Sequence, residues 1–224
     1  MRIRALAVLF LLPALLAACI FGGGDDPRRD RAPPRARATQ PPRPTETPAE
    51  LRQCYADLDR DQVSYRRLPD QSFAGGCSAL GAVQLLDIGV PVTGIKSMRC
   101  PLARNFSNWV RYGVAPAARQ MLGSDLVRIE SYGTYVCRPI AGSQRLSEHG
   151  RANAVDVAVF VLADGRRVSV LDGWQSDDDR ERRFLRTVHQ SACKRFPTVL
   201  GPEYNAAHAN HFHFDQGGRG GFCR

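Results

Sequence analysis

Ser147-Glu148-His149-Gly150-Arg151-Ala152-Asn153-Ala154-Val155-Asp156 runs straight into the apolar, β-branched stretch Val155 to Leu162. That stretch reads as a central strand. Asp164-Gly165 reads as a turn that brings back Val168 to Leu171 as the second arm of a hairpin. Val155, Val157 and Val159 alternate with Asp156, Ala158 and Phe160, and an aspartate in so apolar a run is costly unless paired or metal-bound. A second segment, His208-Ala209-Asn210-His211-Phe212-His213-Phe214-Asp215, lies near the C-terminus. Four of the five histidines fall in these two segments. His211 and His213 are two apart on a predicted strand, Phe212 to Phe214, and so share a face. A catalytic zinc takes three protein ligands of the His, Asp, Glu or Cys type and keeps one position open. His149, Asp156 and one histidine of the His211/His213 pair supply such a set.

Working outward, Ala82 to Ile88 reads as a short strand. Pro101 to Leu122 reads as a helix, with Phe106, Trp109, Val110, Val114, Ala117, Ala118 and Met121 at helical spacing and Gly123 as its stop. Phe106 and Trp109 belong to the core on this reading. Val127 to Ile129 and Thr134 to Val136 read as strands around a Ser131-Tyr132-Gly133 turn. Ser176 or Asp177 caps a second helix that runs to about Arg195, with Phe184, Leu185, Val188 and Ala192 on one face. His189 on that helix is a surface or packing residue. A last strand lies near Val199. Mixed strands with two long helices predict an α+β domain built on a small antiparallel sheet with flanking helices.

The first 19 residues carry Arg2 and Arg4, an apolar run from Ala5 to Ala18, and Leu16-Ala17-Ala18-Cys19, which resembles a bacterial lipobox. Residues 1–19 are therefore expected to direct export, with Cys19 lipidated. Ile20 follows the cysteine where an inner-membrane retention signal would carry Asp, which favours a periplasmic lipoprotein anchored in the outer membrane. Residues 20–50 hold seven of the 15 prolines and almost nothing apolar, so they read as a disordered linker. The folded domain is expected over residues 51–224. The net charge of +9 becomes +7 once Arg2 and Arg4 are removed (9 − 2), which suits an anionic partner. The absence of a basic stripe interleaved with aromatics argues against nucleic acid. Setting Cys19 aside, six cysteines remain: Cys54, Cys77, Cys100, Cys137, Cys193 and Cys223. An even count in an exported chain reads as three disulfides. Fifteen pairings are open; the expected one is Cys54–Cys77, Cys100–Cys137 and Cys193–Cys223. No CxxC pair is present to suggest a cysteine zinc site.

The spacing Ser-x-His, six residues, Asp, then a distant His-x-His resembles that of the LAS metallopeptidases. These include lysostaphin-type enzymes, D-alanyl-D-alanine metallopeptidases and the zinc-bearing hedgehog domain. His208-x-x-His211-x-His213 is similar to the murein endopeptidase arrangement. Cys100-Pro101, Tyr135 to Arg138, and Asn205-Ala206-Ala207-His208 make the block from Cys54 to Cys223 resemble the bacterial extensin-like C-terminal domain. The resemblance implies a hedgehog- or D-Ala-D-Ala-peptidase-like fold, with His149, Asp156 and His213 as ligands to Zn2+. It implies His211 as general base, His208 as a further active-site histidine, Arg138 as a holder of the oxyanion or a substrate carboxylate, and Ser147 as support for the first ligand. Glu203 and Asp215 are nearby carboxylates that could serve as base instead. The expected function is a zinc peptidoglycan peptidase of the envelope, working as a monomer. The alternative is a wall-binding lipoprotein with a structural zinc.

Overall fold

The computed structural model describes residues 46–218 and 220–224. The expected export signal, the expected lipobox cysteine Cys19 and residues 20–45 of the expected linker lie outside the described residues.

The chain is already folded within the last residues assigned to the linker. Helix α1 spans Pro48–Arg60. The Thr47 hydroxyl accepts from the Glu50 amide at 3.2 Å, and the Glu50 carboxylate accepts from the Thr47 amide at 2.7 Å, a reciprocal cap that fixes the helix start. Glu46 pairs with Arg99 just before it. Strands β1 (Ser64–Arg67), β2 (Gln71–Ser72), β3 (Ser78–Ala79), β4 (Ala82–Asp87), β5 (Val92–Thr93) and β6 (Ser97–Arg99) follow. β1, β4 and β6 make a three-stranded antiparallel sheet, and β2 pairs with β3.

Helix α2 (Cys100–Trp109) continues through two wide π-type stretches, Val110–Val114 and Ala118–Leu122, which flank the short α3 (Ala115–Ala117). The expected helix thus covers the right residues but is not uniform. Pro116 supplies no amide hydrogen, and the ladder widens on either side of it. Gly123, with φ of 68°, ends it in the left-handed region.

The main sheet contains β7 (Leu126–Gly133), β8 (Ala154–Leu162), β9 (Arg167–Ser169), β10 (Thr198–Leu200), β11 (Phe212–Asp215) and β12 (Phe222–Cys223), with β5 at one edge. Its order is β12-β10-β11-β8-β7-β5, with β9 also on β8. Most pairs are antiparallel; β5–β7 and β10–β12 are parallel. β9 turns at once into α4 (Val170–Gly173), so the hairpin arm is shorter than expected. Helix α5 (Asp179–Cys193) is capped by Asp178, one or two residues later than expected, because it is the Asp178 carboxylate that accepts from the Arg180 and Glu181 amides.

Two readings of β7 and β8 are corrected. β7 is one strand through Ser131-Tyr132-Gly133, and residues 134–136 are not strand. The step from Ser131 to Gly133 faces the single step from Val157 to Asp156, so β7 bulges at Tyr132 instead of turning. On β8 the apolar face changes hands. Val155 and Val157 enter the core, and then Phe160 and Leu162 do, while Val159 is half-buried. Glu130 and Ser131 are consecutive but face Val159 and Val157, so Ala158 is the extra residue that resets the alternation.

Trp109 anchors the core between helices and sheet. It packs edge-on against Phe214 at 4.8 Å and Phe160 at 6.1 Å, and its indole donates to the Val188 carbonyl at 2.9 Å. His189 is a packing residue, buried against Trp174 and Phe212. The architecture is α+β with small antiparallel sheets, helices and three disulfides.

The disulfides are Cys54–Cys100, Cys77–Cys137 and Cys193–Cys223. Two of the expected pairs are therefore exchanged. Cys54 lies on the buried face of α1, which packs on α2 where Cys100 begins it, at a Cα–Cα distance of 6.1 Å. Cys77 and Cys137 are 5.7 Å apart and tie the β2–β3 connection to the segment leaving β7.

Candidate metal centre

The segment before β8 makes a single 3-10 turn, Glu148–Arg151, on which His149 is carried. Ser147 caps that turn, its hydroxyl accepting from the His149 amide at 3.3 Å. Glu148 fastens the turn to its flanks, accepting from Arg151 at 2.9 Å and Asn153 at 2.6 Å. β8 then delivers Asp156. On β11, His213 is the direct cross-strand partner of Asp156. Two rigid strands and a capped turn therefore place three side chains at one point.

The donor atoms sit close together. His149 Nε2 is 3.1 Å from Asp156 Oδ2 and 3.1 Å from His213 Nδ1, and His213 Nδ1 is 2.8 Å from Asp156 Oδ1. Ligands about 2.1 Å from a tetrahedral zinc stand roughly 3.4 Å from one another. The set is two imidazoles and a carboxylate, and its spacings fall about 0.3 to 0.6 Å short of that value (3.4 − 3.1 and 3.4 − 2.8), so these residues fit zinc after a small outward shift. His211 stands outside the triad, with Nε2 3.6 Å from Asp156 Oδ1. A second group, His189, Cys193 and Cys223, has its sulfurs in a disulfide and no thiolate to give.

The electrostatics follow from burial and pairing. Burial works against a charge on Asp156, but hydrogen bonds from His149 and His213 hold its carboxyl well below the usual carboxylate range. Burial also opposes a charge on His213. Its two hydrogen-bonded carboxylates, Asp156 and Asp215, outweigh that and push it up to about 9. In the metal-free domain His213 is thus an imidazolium held at both nitrogens. Burial pulls His208 down to about 4, helped by the neighbouring charges of His211 and His213. Burial lowers His211 as well, against the pull of Asp156.

The triad lies in a cavity of about 730 Å³. Arg138, Ile140, Arg145, Tyr204, His208 and Phe222 are among the residues that line it. Arg138 is exposed, donates to the Pro139 carbonyl at 3.3 Å, and lowers the basicity of both His208 and His211 through its charge. The candidate carboxylates behave otherwise than as bases. Glu203 is exposed and paired with Arg186 at 2.8 Å. Asp215 accepts from His213 Nε2 at 3.0 Å, on the side of the ring away from the triad, and from the Gly217 amide at 2.8 Å. It fixes the orientation of the His213 ring. Its spacing of two from His213 on a strand was the signal for that role. Tyr132 had no such signal. The bulge in β7 lays it edge-on against His211 at 5.6 Å.

No match was found among characterised proteins, and none among solved structures. One family model, described as extensin-like protein C-terminus, matches residues 52–224. That match takes in α1 from its second turn, all three disulfides and every residue of the triad, and the chain belongs to the extensin-like protein C-terminus family.

Proposed function

We propose that this chain is a zinc-dependent peptidase of the bacterial envelope that cleaves an amide in peptidoglycan stem peptides or cross-links. The observation that carries the reading is the convergence of His149, Asp156 and His213 in an open cavity, with His211 Nε2 aimed at the same point. The spacing of these residues resembles that of LAS metallopeptidases. Bound by the triad, zinc would polarise a carbonyl and acidify a water. The chain's own residues supply the rest. His211, neutral at pH 7, accepts a proton from the attacking water at Nε2 and returns it to the leaving nitrogen. The water oxygen joins the carbonyl carbon first, and the C–N bond breaks when the resulting oxyanion collapses and the nitrogen leaves with that proton. Arg138 on the cavity wall stabilises the oxyanion or holds a substrate carboxylate. A lipid on Cys19 and the proline-rich linker would hold the domain within reach of the wall from the outer membrane.

The test incubates the purified chain with peptidoglycan and follows released muropeptides by mass. The reading requires new fragments with zinc, none after chelation, none with Asp156→Ala, and retained zinc but lost turnover with His211→Ala. Full hydrolysis by Asp156→Ala would end it. A tightly held zinc with no fragments would favour a wall-binding module instead.

A further inference from the structure

Three histidines surround the triad's open side or belong to it, and in each one ring nitrogen faces an acceptor from outside the triad. For His213 the acceptor is Asp215, at Nε2, which turns Nδ1 toward the other ligands. For His211 and His208 the arrangement is reversed. Asn210 Oδ1 lies 2.8 Å from His211 Nδ1, and Asn205 Oδ1 lies 2.7 Å from His208 Nδ1. An amide oxygen can only accept, so the ring nitrogen facing it must donate. A neutral imidazole has a single N–H, which leaves Nε2 bare in both rings.

The side chain of Asn205 is diverted from its usual work. It precedes the 3-10 turn Ala206–His208, where an asparagine would ordinarily cap, yet it makes no capping bond there. Its carbonyl accepts from the His208 amide at 3.0 Å and its side-chain oxygen takes the ring of the same residue. Aromatic neighbours complete the hold. Tyr132 lies edge-on to His211 at 5.6 Å, Tyr204 edge-on to His208 at 5.4 Å, and the two imidazoles are 5.1 Å apart.

We propose that Asn205 and Asn210 are positioning residues that set the tautomers of His208 and His211, so that both rings present an unprotonated Nε2 to the cleft. His211 Nε2, 3.6 Å from Asp156 Oδ1, is then a lone pair directed at the metal centre. The other tautomer would direct an N–H there and could accept no proton at Nε2. The consequence for turnover rests on the peptidase reading above; the tautomers do not.

The test is ¹⁵N spectroscopy of the full, zinc-loaded chain, whose five histidines give few enough rings to assign. Wild type is expected to show Nδ1 protonated and Nε2 bare in both His208 and His211. Asn210→Leu, of similar volume but without an acceptor, should move His211 wholly or partly to the Nε2–H form and leave His208 unchanged. Asn205→Leu should do the reverse, and Asn210→Asp, which keeps an oxygen acceptor, should keep the wild-type form of His211. Zinc content should match wild type in all three, while kcat of Asn210→Leu falls about ten- to hundredfold with KM little changed. An Nε2–H form of His211 in wild type, or a His211 tautomer untouched by Asn210→Leu, overturns the proposal. Expected spectra from a chain that cuts no peptidoglycan would sink the peptidase reading and uphold this one.

Discussion

Zinc binding at this centre should be strongly proton-linked, with His213 as the group that carries the linkage. In the metal-free domain His213 Nδ1 donates to Asp156 Oδ1 at 2.8 Å while Nε2 donates to Asp215 at 3.0 Å, and the imidazolium is held up to about 9. A metal must take the place of the Nδ1 proton. Below about pH 9 each unit of acidification should therefore cost about a factor of ten in zinc affinity. Between pH 8 and pH 6 that is about a hundredfold, or about 2.7 kcal/mol. The same group fixes a stability trend in the metal-free form. A histidine raised from the ordinary 6.5 to about 9 stabilises fully below 6.5, and its contribution, roughly 3 kcal/mol, is lost as pH climbs through 9. His208, pulled down to about 4, acts in the opposite sense, its penalty growing as pH falls from 6.5 toward 4. Competition against a chromophoric chelator at pH 6, 7 and 8 measures the affinity. Calorimetry in two buffers of different ionisation enthalpy counts the proton released, expected to be about one. A flat affinity from pH 6 to 8 with no proton release would refute the assignment of His213 as a ligand through Nδ1.

Removing the acceptor behind that ligand should weaken the metal without touching it: Asp215→Ala should lower zinc affinity about ten- to hundredfold, and Asp215→Asn by less, in the same chelator competition. Gly94 has a φ of 80°, and a Cβ there would lie 2.2 Å from the Ser131 carbonyl oxygen of β7, whereas a Cβ on Gly165, with φ of 86°, meets open space. Urea melts should show Gly94→Ala costing about 3 kcal/mol and Gly165→Ala about 1 kcal/mol. Non-reducing peptide maps should recover Cys54 with Cys100 and Cys77 with Cys137. Removing the second bridge, with a sequence separation of 60, should cost about 4 kcal/mol in the chain-entropy picture.

What could be read from the sequence was what local periodicity and ligand chemistry determine. The apolar run of β8, the helix stopped by Gly123 and the pairing of His149 with Asp156 across six residues all carry their meaning within one short window. The start of α1 was on the page too, as Thr47-x-x-Glu50, but lay hidden in a segment whose prolines and arginines argued for a linker. The bulges at Tyr132 and Ala158 were not legible, because an extra residue in a strand is defined only by what the partner strand does opposite it. The exchanged disulfides failed for the same kind of reason. Cys54 is nearer in sequence to Cys77 than to Cys100, but α1 packs on α2, and the pairing follows the packing.

The centre depends most on register. His213 meets Asp156 because Phe212 and Phe214 on β11 are locked against Val157 and Val155 on β8, with both phenylalanines and both valines in the core. A slip of one residue would drive the phenylalanines out and the histidine in, and would place His213 and Asp156 on opposite faces of the sheet. The two bulges act on the same geometry from the other side. The one at Ala158 returns Phe160 and Leu162 to the core beyond the site, so β8 can present a carboxylate at one end and a continuous apolar face at the other. The one at Tyr132 turns a side chain of β7 over His211. The apolar residues that close the core are thus the ones that hold the polar residues of the site in place. Core substitutions at Phe212 or Val157 are accordingly expected to loosen zinc as well as the fold.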